Sequence, residues 1–222
     1  MFRRLVIAFV IVTLSVFAAV RDGVAVLAQS GSVYLYAEPG SWVGGGIGAQ
    51  TVLWTHGEEG IFSISRNYDK GVSVNFDDGR SWAFDFAAPT YNPLTNTNDG
   101  NDLAVGFYDH ATRFPFNSPT RPGLSFTGNG RGNNQLGGWF NVLEADYALS
   151  GSVLAFAVDF RQFDESEAMT GPSTYGSLRI NSSIPINPVP LPASWVLLGS
   201  GLLMLQGVKR VRNDRKQDRN CS

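Results

Sequence analysis

Apolar and polar residues alternate in short runs through most of the chain. Trp82, Phe84 and Phe86 alternate with Ala83 and Asp85, which places three aromatic rings on one face of a strand and leaves the other face wetter. Such runs, broken by Gly, Asp and Asn, are typical of antiparallel strands joined by turns. The pattern predicts ten strands, at 32–37, 50–54, 61–66, 72–76, 81–86, 103–108, 124–127, 139–148, 153–160 and 177–181.

Turn residues support this series of strands. Asp78-Gly79 is a two-residue hairpin signal, because glycine tolerates a positive φ, and Lys70-Gly71 and Ser150-Gly151 have the same character. No window of helical periodicity interrupts the strands. We therefore expect an all-β domain over residues 29–184, a β-sandwich of jelly-roll or Greek-key type, with proline-rich surface loops at 87–100 and 114–138.

An apolar segment lies near each end of the chain. Arg3-Arg4 followed by the apolar run 5–20 is typical of a secretory signal peptide. We favour cleavage after Ala28, which gives a signal peptide of residues 1–28, with cleavage after Ala18 as the alternative. Residues 193–208 contain no charged side chain and reach roughly 24 Å as a helix, so they predict a transmembrane helix, and the basic tail 209–222 should stay cytoplasmic.

The junction before that helix carries a motif. The proline-rich linker 185–192 ends in Val189-Pro190-Leu191-Pro192, and Leu198-Gly199-Ser200-Gly201-Leu202-Leu203 and the basic tail follow. This order resembles the PEP-CTERM sorting signal of Gram-negative bacteria in its Val-Pro-Leu-Pro variant, although Leu191 stands where the name-giving motif has Glu and the tail is longer than usual. An ordinary C-terminal anchor is the alternative.

The resemblance implies a route for the protein. An exosortase, a membrane-embedded cysteine peptidase, would cleave at the motif of a precursor tethered to the inner membrane. The product would pass to the cell surface or the extracellular matrix. The resemblance thus implies two partners, the exosortase and the membrane itself.

A second resemblance spans residues 33–183. Glu38-Pro39-Gly40-Ser41-Trp42, residues 111–116 and 122–126, and Gly128-Asn129-Gly130-Arg131-Gly132 are similar to a family of exported bacterial domains of uncharacterised function. Members of that family carry one Cys after the glycine-rich loop and another after an Asp-Phe-x-Gln strand. Asn133 and Asp164 occupy those places, so the resemblance implies a disulfide lost as a pair and two positions that are spatial neighbours. It implies no catalytic residues.

The distribution of charge excludes one class of partner. The chain carries a net charge of -2, but residues 29–188 hold 8 Lys and Arg against 16 Asp and Glu, a balance of -8. An acidic body argues against nucleic acid as a ligand. The one cysteine, Cys221, lies in the basic tail, so we expect no disulfide within the domain.

Candidate catalytic residues are few. His56 and His110 are not in a metal-ligand spacing, and neither a Gly-x-Ser-x-Gly motif nor a cysteine nucleophile occurs in the body. We therefore expect a protein that is not an enzyme and that needs no cofactor. An enzyme of unknown type is the third hypothesis, after export of a surface protein and after a binding module.

The binding module would recognise calcium or carbohydrate. Asn96, Asn98, Asp99 and Asp102 place oxygen side chains around a glycine, as hard-cation loops do, although a plain turn explains them too. Trp42 and Trp139, in or beside the loops, could stack on the sugar rings of a polysaccharide, and the loop cation Arg131 could assist. Packing in the core is the commoner fate of such aromatic residues.

Overall fold

The computed structural model describes residues 25–188, and this part of the chain is all-β, as predicted. It contains eleven strands and one short 3-10 turn, Gly44–Ile47. Each of the ten predicted strands overlaps an observed one. The strands are β1 (Val26–Leu27), β2 (Gly31–Ala37), β3 (Thr51–Thr55), β4 (Ile61–Arg66), β5 (Val72–Asp77), β6 (Ser81–Ala87), β7 (Gly106–Arg113), β8 (Gly123–Gly128), β9 (Leu136–Tyr147), β10 (Val153–Asp164) and β11 (Ser173–Ile180).

All eleven strands belong to one sheet, in the order β1-β4-β5-β6-β8-β7-β9-β10-β11-β2-β3. Neighbouring strands are antiparallel except β7 and β8, which run parallel and pair only at Thr112 with Gly123 and at Arg113 with Leu124. This short parallel pairing divides the sheet into a half that ends in β1 and a half that ends in β3. The chain crosses between the halves several times, for example from β1 to β2 and from β3 to β4.

The sheet curls so that its two halves pack their aromatic faces together. The centre of the Phe86 ring on β6 lies 5.4 Å from the ring centre of Phe140 and 5.6 Å from the ring centres of Phe156 and Phe160. These three residues belong to the other half of the sheet. At the end of the sheet, Trp54 of β3 stacks on Phe76 of β5 at 4.8 Å. Burial of these rings supplies the main driving force for folding.

The alternation predicted for β6 is present. Trp82, Phe84 and Phe86 are buried, and Ala83 and Asp85 lie on the partly exposed face. Asp85 accepts a hydrogen bond from Ser73 on β5, and burial raises the pKa of its carboxyl group. One carboxyl group on the wetter face of the strand is therefore largely shielded from water.

The sequence misplaced the ends of several strands: β10 continues to Asp164 rather than 160, β11 begins at Ser173 rather than 177, and β7 and β9 also differ. Leu103 was predicted to begin a strand, but β7 begins at Gly106, and Leu103 is instead buried in the loop, where its carbonyl accepts a hydrogen bond from Tyr147 at 2.7 Å. β9 begins before Trp139, at Leu136. Gly138 lies inside β9. A Cβ at this position would overlap the Arg161 carbonyl oxygen of β10, so only glycine permits the two strands to approach each other so closely here.

The ends of the described part bear on the predicted domain limits. β1 lies before residue 29, where the sequence placed the start of the domain, and at the other end residues up to Asn187 contact the sheet. The motif Val189-Pro190-Leu191-Pro192, the predicted helix 193–208, the tail and residues 1–24 lie outside the described residues. Between residues 25 and 188 there is no helix of the length and apolarity that crossing a membrane requires.

Candidate functional site

Three separate parts of the chain meet at the carboxylate of Asp164, the last residue of β10. Its Oδ2 accepts hydrogen bonds from the Ser41 hydroxyl at 2.6 Å and from the Trp42 amide at 2.7 Å, and its Oδ1 accepts one from Asn133 Nδ2 at 2.8 Å. Hydrogen bonds to a carboxylate are stronger than those between neutral groups. The loop after β2 and the loop after β8 are therefore both fixed to the end of β10.

Asn133 and Asp164 are also the two positions at which the resemblance implied a lost disulfide. Their side chains are in direct contact, so the implied proximity is confirmed. Asn133 is only 4% exposed, and its Oδ1 is buried with no hydrogen-bond partner among the described residues. A hydrogen bond to a carboxylate occupies the place that a covalent bridge would take.

Trp42 and Arg131, both predicted as binding residues, lie together above this junction. The Arg131 guanidinium carbon is 4.6 Å from the centre of the Trp42 ring, and Arg131 Nη1 donates to the Trp42 carbonyl oxygen at 2.9 Å. Gly46 lies beneath the arginine, since a Cβ there would be 3.1 Å from the Arg131 side chain. The guanidinium covers the indole, which nevertheless remains 52% exposed.

Trp139, the third predicted binding residue, belongs to a different cluster. Its ring centre lies 5.7 Å from that of Phe107 on β7 and 6.3 Å from that of Tyr175 on β11. Arg161 of β10 is in register with both Trp139 and Tyr175, and Tyr175 is in register with Tyr36 of β2. We call Phe107, Trp139, Tyr175 and Tyr36 the aromatic row.

The side chain of Arg161, whose strand lies between those of Trp139 and Tyr175, is held by hydrogen bonds. Its Nη2 donates to Glu38 Oε1 at 2.8 Å and its Nε donates to the Ser173 hydroxyl at 2.8 Å, while Glu38 Oε2 accepts from the Ser173 amide at 3.0 Å. Phe107, which the sequence analysis did not select, is 61% exposed. The alternation of Tyr34 and Tyr36 with the buried Val33 and Leu35 was the available signal for the β2 end of the row.

The four predicted calcium ligands are engaged differently. The Asn96 side-chain oxygen accepts a hydrogen bond from Tyr91 at 3.0 Å, and Asp102 forms an ion pair with Arg66. Asn98 and Asp99 are exposed. Lys70 Nζ donates to the Gly100 carbonyl oxygen at 3.2 Å, so positive charges of the protein itself already contact this loop.

Metal binding has no other support in the described residues. Over 25–188, no group of three or more His, Cys, Asp or Glu side chains is arranged to hold a metal ion. His56 Nδ1 accepts the Phe62 amide at 3.0 Å, which is a structural role in the turn before β4. His110 is exposed, and its Nδ1 lies 3.0 Å from Asp109 Oδ2.

A buried ion pair marks the outer side of β10 and β11. Arg179 Nη2 donates to Asp159 Oδ1 at 2.9 Å, and the two residues are 3% and 7% exposed. The Ser177 hydroxyl donates to the same carboxylate oxygen at 2.7 Å. Arg179 Nε donates to the Pro185 carbonyl oxygen at 3.1 Å, so this pair holds a residue of the predicted linker.

Asn187 is held at the same place by both its backbone and its side chain. Its amide donates to the Ser177 hydroxyl at 2.9 Å, its Nδ2 donates to Asp159 Oδ2 at 3.2 Å, and its carbonyl accepts from the Tyr175 hydroxyl at 3.2 Å. Burial, followed by the charge of Asp159, raises the pKa of Tyr175 to about 12. We call Asp159, Arg179, Ser177 and Tyr175 the linker clamp.

The fold and these contacts define an all-β domain with two fixed loops at one end, an aromatic row on its sheet and a C-terminal segment bound to the outer side of β10 and β11. No family model, no curated protein and no solved structure matches the chain.

Proposed function

We propose that this protein is exported and delivered to the cell surface or extracellular matrix by a C-terminal sorting signal, and that it is not an enzyme. The folded part, in this proposal, is a β-sandwich of jelly-roll or Greek-key type, a description supported by the two sheet halves that pack face to face. The observation that carries the sorting proposal is the linker clamp. It holds the chain as far as Asn187, two residues before the motif begins at Val189.

The clamp limits the distance between the domain and the predicted membrane helix. Six backbone steps separate the Cα atoms of Asn187 and Ala193, and a fully extended chain spans at most about 3.6 Å per step, or roughly 22 Å in all. The clamped domain therefore lies close to the bilayer, where a membrane-embedded peptidase acts. The prolines at 190 and 192 favour an extended backbone in that interval, which is the conformation that peptidases bind.

Replacing both motif prolines tests the sorting step. Pro190→Ala and Pro192→Ala together remove the recognition motif but keep the predicted helix, so we expect the full-length precursor to stay in the membrane fraction of a host with an exosortase. Pro188→Ala, one residue before the motif, is the matched control and should be processed normally. Release of the double variant at the wild-type rate would contradict the proposal.

Deleting residues 209–222 tests the stop-transfer role of the basic tail. Without its Lys and Arg residues the helix loses the charges that hold it across the bilayer, so the truncated chain should appear in the medium without cleavage at the motif. Full retention of the truncated chain in the membrane would contradict this role.

A second candidate function, binding of extracellular polysaccharide, is favoured by the aromatic row. Phe107 is exposed, Trp139 and Tyr175 are half-buried beside it, and Arg161, in register with both Trp139 and Tyr175, is held by Glu38 and Ser173. Pyranose rings stack on such aromatic surfaces and hydrogen-bond at their edges. This pairing of flat apolar rings with fixed polar groups suits a sugar better than a purely apolar partner.

Two tryptophan variants separate the candidate surfaces. If the row binds a glycan, Trp139→Ala should weaken binding on an array about tenfold, equivalent to ~1.4 kcal/mol, and Trp42→Ala should leave it unchanged. The reverse order would assign binding to the Trp42 and Arg131 loops. Chelation of calcium should not alter either result, since protein cations contact the Asn96 to Asp102 loop.

A further inference from the structure

Residues 26–28 are part of the folded sheet. Val26 pairs with Ile64 and Leu27 with Ser63 of β4, and the Ala28 amide donates to the Phe62 carbonyl oxygen at 3.1 Å. Ala28 is 6% exposed and packs in the hydrophobic core. Its small side chain therefore has a structural explanation that does not involve recognition by a leader peptidase.

The turn that follows β1 is fixed as firmly as the strand. The amides of Gln29 and Ser30 both donate to Asn181 Oδ1, at 2.9 and 3.0 Å, and the Asn181 amide donates to the Ser30 carbonyl oxygen at 3.0 Å. Asn181 adopts a left-handed backbone with φ of 51°, and its Nδ2 donates to the Leu154 carbonyl oxygen at 2.9 Å. The turn from β1 into β2 is thus fixed by the side chain of a residue near the other end of the domain's sequence.

Loss of β1 would expose the edge of β4. Phe62 and Ile64 are 0% and 2% exposed, and their strand has β5 on one side and β1 on the other. An unpaired apolar edge strand is a template for pairing with other chains. A product that began at Gln29 would carry such an edge.

We propose that the leader is removed ahead of residue 25, so that the mature protein keeps Val26, Leu27 and Ala28 as its edge strand. Of the two bonds that the sequence offers, this selects the one after Ala18. Hydrolysis there uses one water molecule, whose hydroxyl completes the Ala18 carboxyl group and whose hydrogen completes the Ala19 amino group. The inference rests on export as proposed above.

The N-terminus of the exported protein tests the inference directly. Full-length chain is expressed in a Gram-negative host, and the material outside the cytoplasm is analysed by intact mass and N-terminal sequencing. We expect a chain that begins at Ala19. Folded exported protein that begins at Gln29 would overturn the inference. A chain that keeps Met1 and stays in the cytosol would instead overturn the proposed export, and the stability comparison below would then decide the role of β1.

The stability comparison uses two chains in the same detergent, one that begins at residue 19 and one that begins at residue 29, both continuing to Ser222. Because the second chain lacks the β1 pairing and the buried Ala28, its thermal midpoint should be at least about 2–4 °C lower. It should also form aggregates at a concentration at which the longer chain stays monomeric. Equal midpoints and equal aggregation would overturn the inference, since β1 would then contribute nothing to the mature fold.

Discussion

Replacing Asp164 with alanine removes the one acceptor that three donors share. Asn133 is 4% exposed, so its amide would be left buried and unpaired, whereas the Ser41 hydroxyl could turn to Thr174 Oγ1, 2.9 Å away, and the exposed Trp42 amide could bond to water. An unsatisfied buried donor costs about 1–3 kcal/mol, and more when its lost partner was charged. We therefore expect Asp164→Ala, which leaves one buried donor unpaired and removes two further hydrogen bonds to a carboxylate, to lower the free energy of unfolding by about 2–4 kcal/mol.

Asp164→Asn should cost much less, for a reason specific to this site. If Asn133 rotates its amide, its Oδ1, at present without a partner, can accept from the new amide group at position 164. The side-chain oxygen that remains at position 164 would still accept from Ser41 and Trp42. We expect a loss of about 1 kcal/mol, mainly from the lost charge.

The measurement is unfolding of the mature protein by urea and by heat, with tryptophan fluorescence as the signal. For a domain of this size, a loss of 2–4 kcal/mol lowers the thermal midpoint by roughly 4–16 °C. Asp99→Ala is the control, because Asp99 is exposed and should change stability by less than about 0.5 kcal/mol. Equal effects of Asp164→Ala and Asp99→Ala, or of Asp164→Ala and Asp164→Asn, would refute the reasoning.

Three further predictions concern this same contact and two other sites. The double variant Asn133→Cys with Asp164→Cys should form a disulfide on air oxidation, recovering about 3–4 kcal/mol of stability relative to its reduced form; free thiols by mass spectrometry would reject the correspondence with the cysteine pair. Burial raises the pKa of the Asp85 carboxyl group in the folded state, so its ionisation opposes folding as the pH rises through that raised value. Asp85→Asn should therefore be more stable than wild type at pH 7, and the difference should be gone below about pH 4. Identical pH profiles of the unfolding free energy for the variant and the wild type would count against this. Ser177→Ala removes the acceptor of the Asn187 amide, which should then exchange its hydrogen about five- to tenfold faster, and unchanged protection would reject the linker clamp.

The strands could be predicted from the sequence because the alternation that specifies them is local. Whether Trp82, Phe84 and Phe86 share a face depends only on the period of two along one strand, and the hairpin at Asp78-Gly79 depends on adjacent residues. β1 was missed for the same reason, since two residues are too few to show a period. Leu103 was misassigned because a buried loop residue and a strand residue are equally apolar.

The candidate sites depend on the tertiary structure, because their members are distant in the sequence. The aromatic row requires the register of β9, β10, β11 and β2, which brings Tyr175 beside Tyr36, and nothing local to either tyrosine specifies that pairing. The two halves of the curled sheet likewise decide that Asn181 fixes Gln29 and Ser30. The sequence alone determined ten of the eleven strands, the acidic body and the motif at 189–192, whereas long-range pairing decided which loops meet at Asp164 and how the linker is held.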